Sequence, residues 1–287
     1  MKTTELIYTQ QKEWADKRGI ELHLYSNKPY ARCLSGNLYC QPSSETVHEF
    51  EIGKGNEIRS GKMRALHSSS ALVLNIFEYW RQSNHIDEIA RACGAPFGTT
   101  TMQFERTYPI LVGGTPPHLD VELSGERLNS VLAIESKFTE PYQRHTKRTI
   151  KEKYFTAPSL WAELPSRCRE LAVRIHEEEQ GKTSFAYLDA PQLLKHLLGL
   201  SLTTKASNKA FELLYLWYEV PSSPEAKKHR LELEQFKQCV GDEVRLRDMT
   251  YQDLFEAIRK CPNASKDYLD YLGQRYFPSQ TLPIHST

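Results

Sequence analysis

The chain has 287 residues, of which 39% are hydrophobic and 25% are charged, a composition typical of globular proteins. Its formal net charge is +1, so no overall basic field indicates a nucleic-acid partner, although local basic patches are compatible with this total. The cysteines form no CxxC pair, no apolar run reaches the about 20 residues that cross a bilayer, and the polar start lacks a signal-peptide pattern. We therefore expect a cytoplasmic protein without a zinc site, a disulfide framework or a membrane segment.

Hydrophobic spacing and turn residues predict five regions before the centre of the chain. They are a helix over 5–18, loops and short strands over 20–52, a buried helix over 68–80, a helix over 85–93 and a strand over 102–110. Asn75 lies among the apolar residues of the buried helix and needs a hydrogen-bond partner if it is buried. Glu78 lies on the same helix, where we favour a solvated side chain over a metal ligand.

Two adjacent strands are predicted over 116–123 and 130–138, joined by a polar turn. Because side chains alternate between the faces of a strand, Glu135 and Lys137 share one face, and an antiparallel partner can place Asp120 beside them. The sequence thus brings two carboxylates and one ammonium group to one place.

Two carboxylates a few ångströms apart repel each other, and a divalent cation relieves that repulsion. Mg²⁺ is commonly held by one or two carboxylates together with water and substrate phosphate, and Mn²⁺ is a possible substitute. Lys137 is then a point charge that can position water or offset charge developing on a phosphate. The reaction that uses these groups is metal-assisted hydrolysis of a phosphodiester.

The segment over 139–163 combines basic and aromatic residues. Phosphates attract Lys and Arg, and aromatic rings can pack on sugars or bases, so the segment is suited to hold DNA. A solvated helix and loop is the equally weighted alternative. The residues concerned are Arg144, Lys147, Arg148, Lys151 and Lys153, with Tyr142, Tyr154, Phe155 and Trp161 among them.

The rest of the chain alternates between helices and one strand. The predicted elements are helices over 163–180 and 189–200, a strand over 211–220, and helices over 225–240, 251–260 and 266–275. Gln192 and His196 are four residues apart and share a helix face, and we interpret His196 as a structural histidine. The face that carries His229, Glu232 and Phe236 is interpreted as exposed.

These residues carry a resemblance to the PD-(D/E)xK nuclease superfamily and, more narrowly, to a bacterial family of restriction-endonuclease-like proteins. Pro117 and Asp120, then fourteen residues, then Glu135-Ser136-Lys137 match the motif, with two residues between Pro and Asp where the motif's name implies none. The resemblance spans roughly residues 50–255. It is supported by Phe104-Glu105, by Ser68 to Leu72 with Asn75, and by His229 to Glu232 with Phe236.

The resemblance implies an α/β fold, a restriction-endonuclease-like core in which helices flank a central mixed β-sheet, with helical extensions at both ends. It implies that Asp120 and Glu135 bind the metal, that Lys137 orients or activates water, and that Gln192 faces the site from a neighbouring helix. Glu105 is the preferred additional carboxylate and metal ligand, with Glu78 and Glu122 as alternatives.

We interpret the chain as a single nuclease domain, with an extension over 1–60, a core over 61–224 and a helical extension over 225–287. The predicted function is a Mg²⁺-dependent DNA endonuclease for restriction or DNA defence. The alternatives are a non-catalytic nucleic-acid-binding protein on a nuclease-like fold and a DNA-repair nuclease. A homodimer is a possible assembly, because cutting both strands commonly requires two active sites.

Overall fold

The computed structural model describes residues 2–53, 56–110, 113, 115–145, 149–178 and 184–278. The chain folds into two compact units, one formed by residues 1–97 with 250–287 and the other by residues 98–249. The single nuclease domain with two extensions stays a prediction.

Helices make up most of the first unit and flank the sheet of the second. In chain order they are α1 (Thr3–Lys17), α2 (Ser44–Ile52), α3 (Ser69–Gln82), α4 (Ile86–Ala92), α5 (Ser166–Glu177), α6 (Ala190–Ala206), α7 (Pro224–Val240), α8 (Tyr251–Ile258) and α9 (Lys266–Tyr276). Each helix predicted from the sequence is confirmed to within a few residues, apart from α6, which continues to Ala206. The nine-residue α2 falls in the region predicted as loops and short strands, because it is short and mostly polar. No helix in the described part of the chain is both long and apolar enough to cross a membrane.

The strands form two sheets. They are β1 (Leu22–Tyr25), β2 (Lys28–Ala31), β3 (Thr101–Thr107), β4 (His118–Ser124), β5 (Ser130–Lys137), β6 (Ala210–Trp217) and β7 (Leu246–Thr250). Strands β1 and β2 pair in a two-stranded sheet of the first unit, and β3 to β7 lie side by side in that order in the other sheet. The sequence did not predict β7, whose residues Leu-Arg-Asp-Met-Thr carry little apolar signal.

The five-stranded sheet is mixed. Strand β4 runs antiparallel to both β3 and β5, whereas β5 runs parallel to β6. Parallel neighbours need a crossover connection, and here α5 and α6 lie in the chain between β5 and β6. The predicted fold class is confirmed: an α/β core with a mixed central sheet flanked by helices, consistent with a restriction-endonuclease-like core.

Helix α3 is the buried helix predicted over 68–80. The Ser68 hydroxyl accepts a hydrogen bond from the Ala71 amide and caps the first turn. Asn75 is buried and has the partners it needs, because its amide donates to the Asn37 carbonyl and to the Tyr276 hydroxyl. The solvated interpretation of Glu78 is wrong. Its side chain is buried and accepts hydrogen bonds from the Ser43 amide, the Thr46 hydroxyl and the Gln82 side chain, all within the first unit.

Candidate active site

Strands β4 and β5 bring Asp120 and Glu135 together. Val121 pairs with Ile134 in the antiparallel register, so the next positions along the two strands are Asp120 and Glu135. A carboxylate oxygen of Asp120 accepts a hydrogen bond of 2.6 Å from the Ser136 amide, which fixes the Asp120 side chain against the end of β5. The structure therefore has the antiparallel pairing and the convergence that the sequence predicts.

Lys137 is the centre of the cluster. Its ammonium nitrogen lies 2.5 Å from Glu135 Oε1 and 3.0 Å from Gln192 Oε1, and donates a hydrogen bond to each. Gln192 is in the first turn of α6. The Asp189 carboxylate caps this helix by accepting a hydrogen bond from the backbone amide of Gln192. Gln192 thus faces the cluster through its hydrogen bond with Lys137, and its role in a catalytic site stays a prediction.

His196 is a member of the cluster that the sequence interpretation did not include. Its side chain is buried, and its Nε2 lies 3.2 Å from the second carboxylate oxygen of Glu135. His196 is one helical turn after Gln192, so the spacing of the two was the available signal. The imidazole lies beside the carboxylate of Glu135 and lowers its pKa, and the structural role of His196 stays a prediction.

Burial and charge shift the pKa values of the two carboxyl groups in opposite directions. Burial alone raises the pKa of Glu135, but the adjacent Lys137 and His196 outweigh it and hold this pKa below its usual value. Burial, followed by the charges of Glu135 and Glu105, raises the pKa of Asp120 well above its usual value. Burial lowers the pKa of Lys137, but the carboxylates of Glu135, Glu140 and Asp120 outweigh it and raise that pKa.

Glu105 on β3 lies opposite Asp120 on the neighbouring strand β4. Phe104 pairs with Val121 and Arg106 pairs with Leu119, so the positions between them face each other. The backbone φ angle of Glu105 is +51°, a left-handed conformation that is rare for a residue other than glycine inside a strand. Such strain clusters at functional sites, where it can redirect a side chain. This conformation and its charge effect on Asp120 distinguish Glu105 from the other acidic residues of the strand pair.

Glu122 shares a face of β4 with Asp120 but has other partners. The Tyr108 hydroxyl donates to its carboxylate in a short hydrogen bond, and Arg106 Nε lies 3.7 Å away. These two contacts anchor Glu122 two residues along the strand from the cluster. Of the three alternatives for an additional carboxylate, Glu105 is the one whose charge raises the pKa of Asp120.

The segment after Lys137 contains aromatic residues that serve the protein interior. The Tyr142 hydroxyl donates to the Tyr218 carbonyl and accepts from the Val220 amide, and Trp161 Nε1 donates to the Tyr154 carbonyl. Tyr142, Tyr154 and Trp161 are all buried. Of the basic residues, Arg144 and Lys151 are exposed and Lys153 is half-buried, whereas Lys147 and Arg148 lie outside the described residues.

The face of α7 with His229 and Phe236 is buried, so the exposed interpretation is wrong for these two residues. The ring of His229 packs against the rings of Tyr215 and Trp217 on β6, and the ring of Phe236 makes an edge contact with Phe185. Glu232 accepts hydrogen bonds of 2.7 and 2.8 Å from the Tyr187 and Leu188 amides. This contact holds the turn that leads into α6, and it thereby supports the helix that carries Gln192 and His196.

The donor set fits a small divalent cation bound by two carboxylates. Within the described residues, no three His, Cys, Asp or Glu side chains form a group that could hold a metal ion. Mg²⁺ does not need three such side chains, because one or two carboxylates with water and substrate oxygens are sufficient. Burial is the main cause of the raised pKa of Asp120, and the charges of Glu135 and Glu105 add to it, so a cation beside these carboxyl groups would be stabilising.

A family model described as Restriction Endonuclease associating with ARP matches residues 4–277. The chain belongs to this family. Membership of the REase-ARP family covers both the cluster around Lys137 and the helices of the first unit, and it indicates a nuclease or DNA-defence role. Searches of the curated proteins and of the solved structures found no match.

Proposed function

We propose that this protein is a Mg²⁺-dependent DNA endonuclease of the PD-(D/E)xK type that acts in restriction or DNA defence. The observation that carries the proposal is the convergence of Asp120, Glu135 and Lys137 at the paired ends of β4 and β5. Family membership supports it independently, because the family is described as one of restriction endonucleases. DNA is accordingly the proposed substrate.

Each residue of the cluster has a distinct task in this proposal. Asp120 and Glu135 would hold the cation, Glu105 would add negative charge beside Asp120 as the additional carboxylate without being a direct ligand, and Mn²⁺ would substitute for Mg²⁺. A bound cation of this kind polarises a phosphoryl oxygen and lowers the pKa of water. Lys137 places a positive charge beside the reacting phosphate, and Gln192 limits the positions of that charge by accepting one of its hydrogen bonds. His196 orients Glu135 from the opposite side to Lys137.

The substrate would reach the cluster from the side of Asp120, Glu105 and Gln192. These three residues are half-buried, whereas Glu135, Lys137 and His196 are buried. The exposed Arg144 and Lys151 follow in the chain and are suited to contact phosphates. The buried aromatic residues of the same segment stabilise the fold and are not part of this DNA contact.

Cleavage of supercoiled plasmid DNA tests the proposal. Wild-type protein with Mg²⁺ should convert the plasmid to nicked or linear forms, and EDTA should prevent this. Glu135→Gln should lower the rate at least about a hundredfold, because it removes the charge that holds the cation while preserving the shape of the side chain. The circular dichroism spectrum of the variant should match that of wild type, which would show that the variant is folded.

Glu122→Gln is the matched control. It removes a carboxylate from the face of Asp120, two residues away, where Tyr108 and Arg106 already bind the side chain. This variant should keep most of the cleavage rate. Equal cleavage by wild type and Glu135→Gln would remove the proposal.

A second candidate is a nucleic-acid-binding protein that does not cleave. It is favoured by the internal contacts of Glu135, both of whose carboxylate oxygens have a nitrogen partner within the protein. In that case the cluster is a buried ion pair with a structural role. A protein that binds duplex DNA but neither binds Mn²⁺ nor nicks plasmid would match this candidate.

A further inference from the structure

The first unit carries a hairpin whose tip exposes large apolar side chains. Strands β1 and β2 pair antiparallel from Leu22 with Ala31 to Tyr25 with Lys28. The two residues of the turn, Ser26 and Asn27, both have positive φ angles, of 50° and 61°, as a tight two-residue hairpin turn requires. A two-stranded ribbon of this kind is marginally stable in isolation, so it needs support at its base.

That support comes from the segment that follows residue 61. Tyr30 forms a bridge with Ala65, and the Leu66 amide donates to the Pro29 carbonyl. Arg64 donates a hydrogen bond of 3.1 Å to the Arg32 carbonyl. The base of the hairpin is therefore tied down, while its tip is left in solvent.

Two large apolar side chains lie directly before the polar turn residues at the tip. Leu24 is 68% exposed and Tyr25 is 65% exposed, and alternation along β1 directs them to opposite faces of the ribbon. The ring of Tyr25 makes an edge contact with Tyr30, at 5.7 Å between centroids, which limits its freedom. Two pre-positioned apolar side chains at the end of a narrow ribbon are suited to enter a groove.

The charge around the hairpin identifies the partner. Residues 17–32 contain four basic residues, namely Lys17, Arg18, Lys28 and Arg32, and one acidic residue, Glu21. Glu21 pairs with Arg32 at 3.1 Å on the surface, where such a pair is weak and screened. Arg64 adds positive charge beside β2, and so does Lys62, whose ammonium group lies 3.9 Å from the Glu57 carboxylate in a surface pair. The surface is thus locally basic in a chain whose net charge is only +1.

We propose that the β1–β2 hairpin is a second contact with duplex DNA, resting on the proposed nuclease function. A two-stranded β-ribbon fits the major groove of B-form DNA, where side chains can contact base edges. The ribbon enters the groove tip first, so that Leu24 and Tyr25 on its two faces contact base edges, and the basic residues at its sides and base contact phosphates. The hairpin therefore contributes affinity and sequence preference, while the cluster on β4 and β5 carries the chemistry.

Fluorescence anisotropy with a labelled mixed-sequence DNA duplex in EDTA tests this contact without cleavage. The double variant Leu24→Ser/Tyr25→Ser should bind about tenfold more weakly than wild type, because its apolar base contacts are lost. Ile52→Ser is the matched control, since Ile52 is apolar and 65% exposed in the same unit. The double variant Lys28→Gln/Arg32→Gln should bind more weakly. The slope of log affinity against log salt concentration should become shallower by about one for each of the two residues, because each loses a phosphate contact.

The outcomes separate this contact from the nuclease site. The proposal is overturned if Leu24→Ser/Tyr25→Ser binds DNA like Ile52→Ser, or if wild type does not bind the duplex. It is also overturned if an RNA duplex of the same sequence binds equally well, because the A-form major groove is too narrow for a ribbon. If the hairpin variant loses DNA binding while Glu135→Gln cleaves as fast as wild type, the proposed DNA contact of the hairpin is supported. The proposed cleavage site is then wrong.

Discussion

Glu135 and Asp120 respond differently to nearly the same surroundings. Glu135 has Lys137 on one oxygen and His196 near the other, so the charged form is stabilised. For Asp120, the charge of Lys137 and the hydrogen bond from the Ser136 amide lower the pKa, but they compensate burial and two neighbouring carboxyl charges only in part. Without a cation, Asp120 is therefore the carboxyl group of the pair that binds a proton more readily. Cation binding at this site should lower the pKa of Asp120.

His229 makes the acid stability of the protein predictable. Its imidazole is buried, and Nδ1 donates to the Tyr187 carbonyl at 3.1 Å, whereas Nε2 has no hydrogen-bond partner among the described residues. Burial lowers the pKa of His229 from 6.5 to about 4. A lowered histidine pKa means that the unfolded chain binds the proton more readily, so stability is full above pH 6.5 and is lost as the pH falls toward 4.

We therefore expect wild type to lose about 3 kcal/mol of unfolding free energy through this residue between neutral pH and pH 4, at 1.36 kcal/mol per pKa unit. His229→Asn keeps a donor for the Tyr187 carbonyl but does not titrate. Urea unfolding at both pH values should show a smaller loss for the variant. An equal loss in the two proteins would contradict the account of His229.

Helix α6 can carry Gln192 and His196 into the site because it packs closely on the chain between β3 and β4. A Cβ atom at Gly199 would lie 2.8 Å from the Tyr108 carbonyl oxygen and 3.0 Å from Pro117 Cγ. The first neighbour is a backbone atom and the second belongs to a proline ring, so neither can turn aside as a flexible side chain would. Glycine is thus the residue that lets the helix approach the strand that bears Asp120.

Gly199→Ala should lower the unfolding free energy by about 1–3 kcal/mol, the usual cost of overpacking. It should also slow plasmid cleavage, because α6 must move away from Lys137 to relieve the overlap. Thr203→Ala, one turn later on the same helix and half-buried, is the control for a substitution to alanine in α6 that adds no atoms, and it should leave both quantities near wild type. Wild-type stability in Gly199→Ala would show that the close approach is not required.

Most elements could be predicted from local patterns, whereas the environment of single residues could not. The pairing of β4 with β5 follows from two β-rich runs and a short turn, and α6 follows from its leucine spacing. The burial of His229 depends on which distant elements cover α7, and the positive φ of Glu105 departs from the extended backbone that the strand pattern predicts. Neither feature is encoded in the local hydrophobic pattern of the sequence.

On the scale of the molecule, the two compact units divide the proposed tasks. The residues proposed for cleavage lie in the unit of 98–249, and the basic hairpin lies in the other unit. The net charge of +1 gave no indication of a DNA partner, because it averages a basic hairpin with acidic residues elsewhere. A homodimer stays a prediction, as does Mg²⁺ as the cofactor.

The most direct test is a Mn²⁺ titration followed by electron paramagnetic resonance, with wild type, Asp120→Asn and Glu122→Gln compared side by side. We expect wild type and Glu122→Gln to bind Mn²⁺ that Mg²⁺ displaces, and Asp120→Asn to bind it at least about tenfold more weakly. Equal Mn²⁺ binding by all three proteins, or none by wild type, would contradict the convergence of Asp120 and Glu135 on a shared cation.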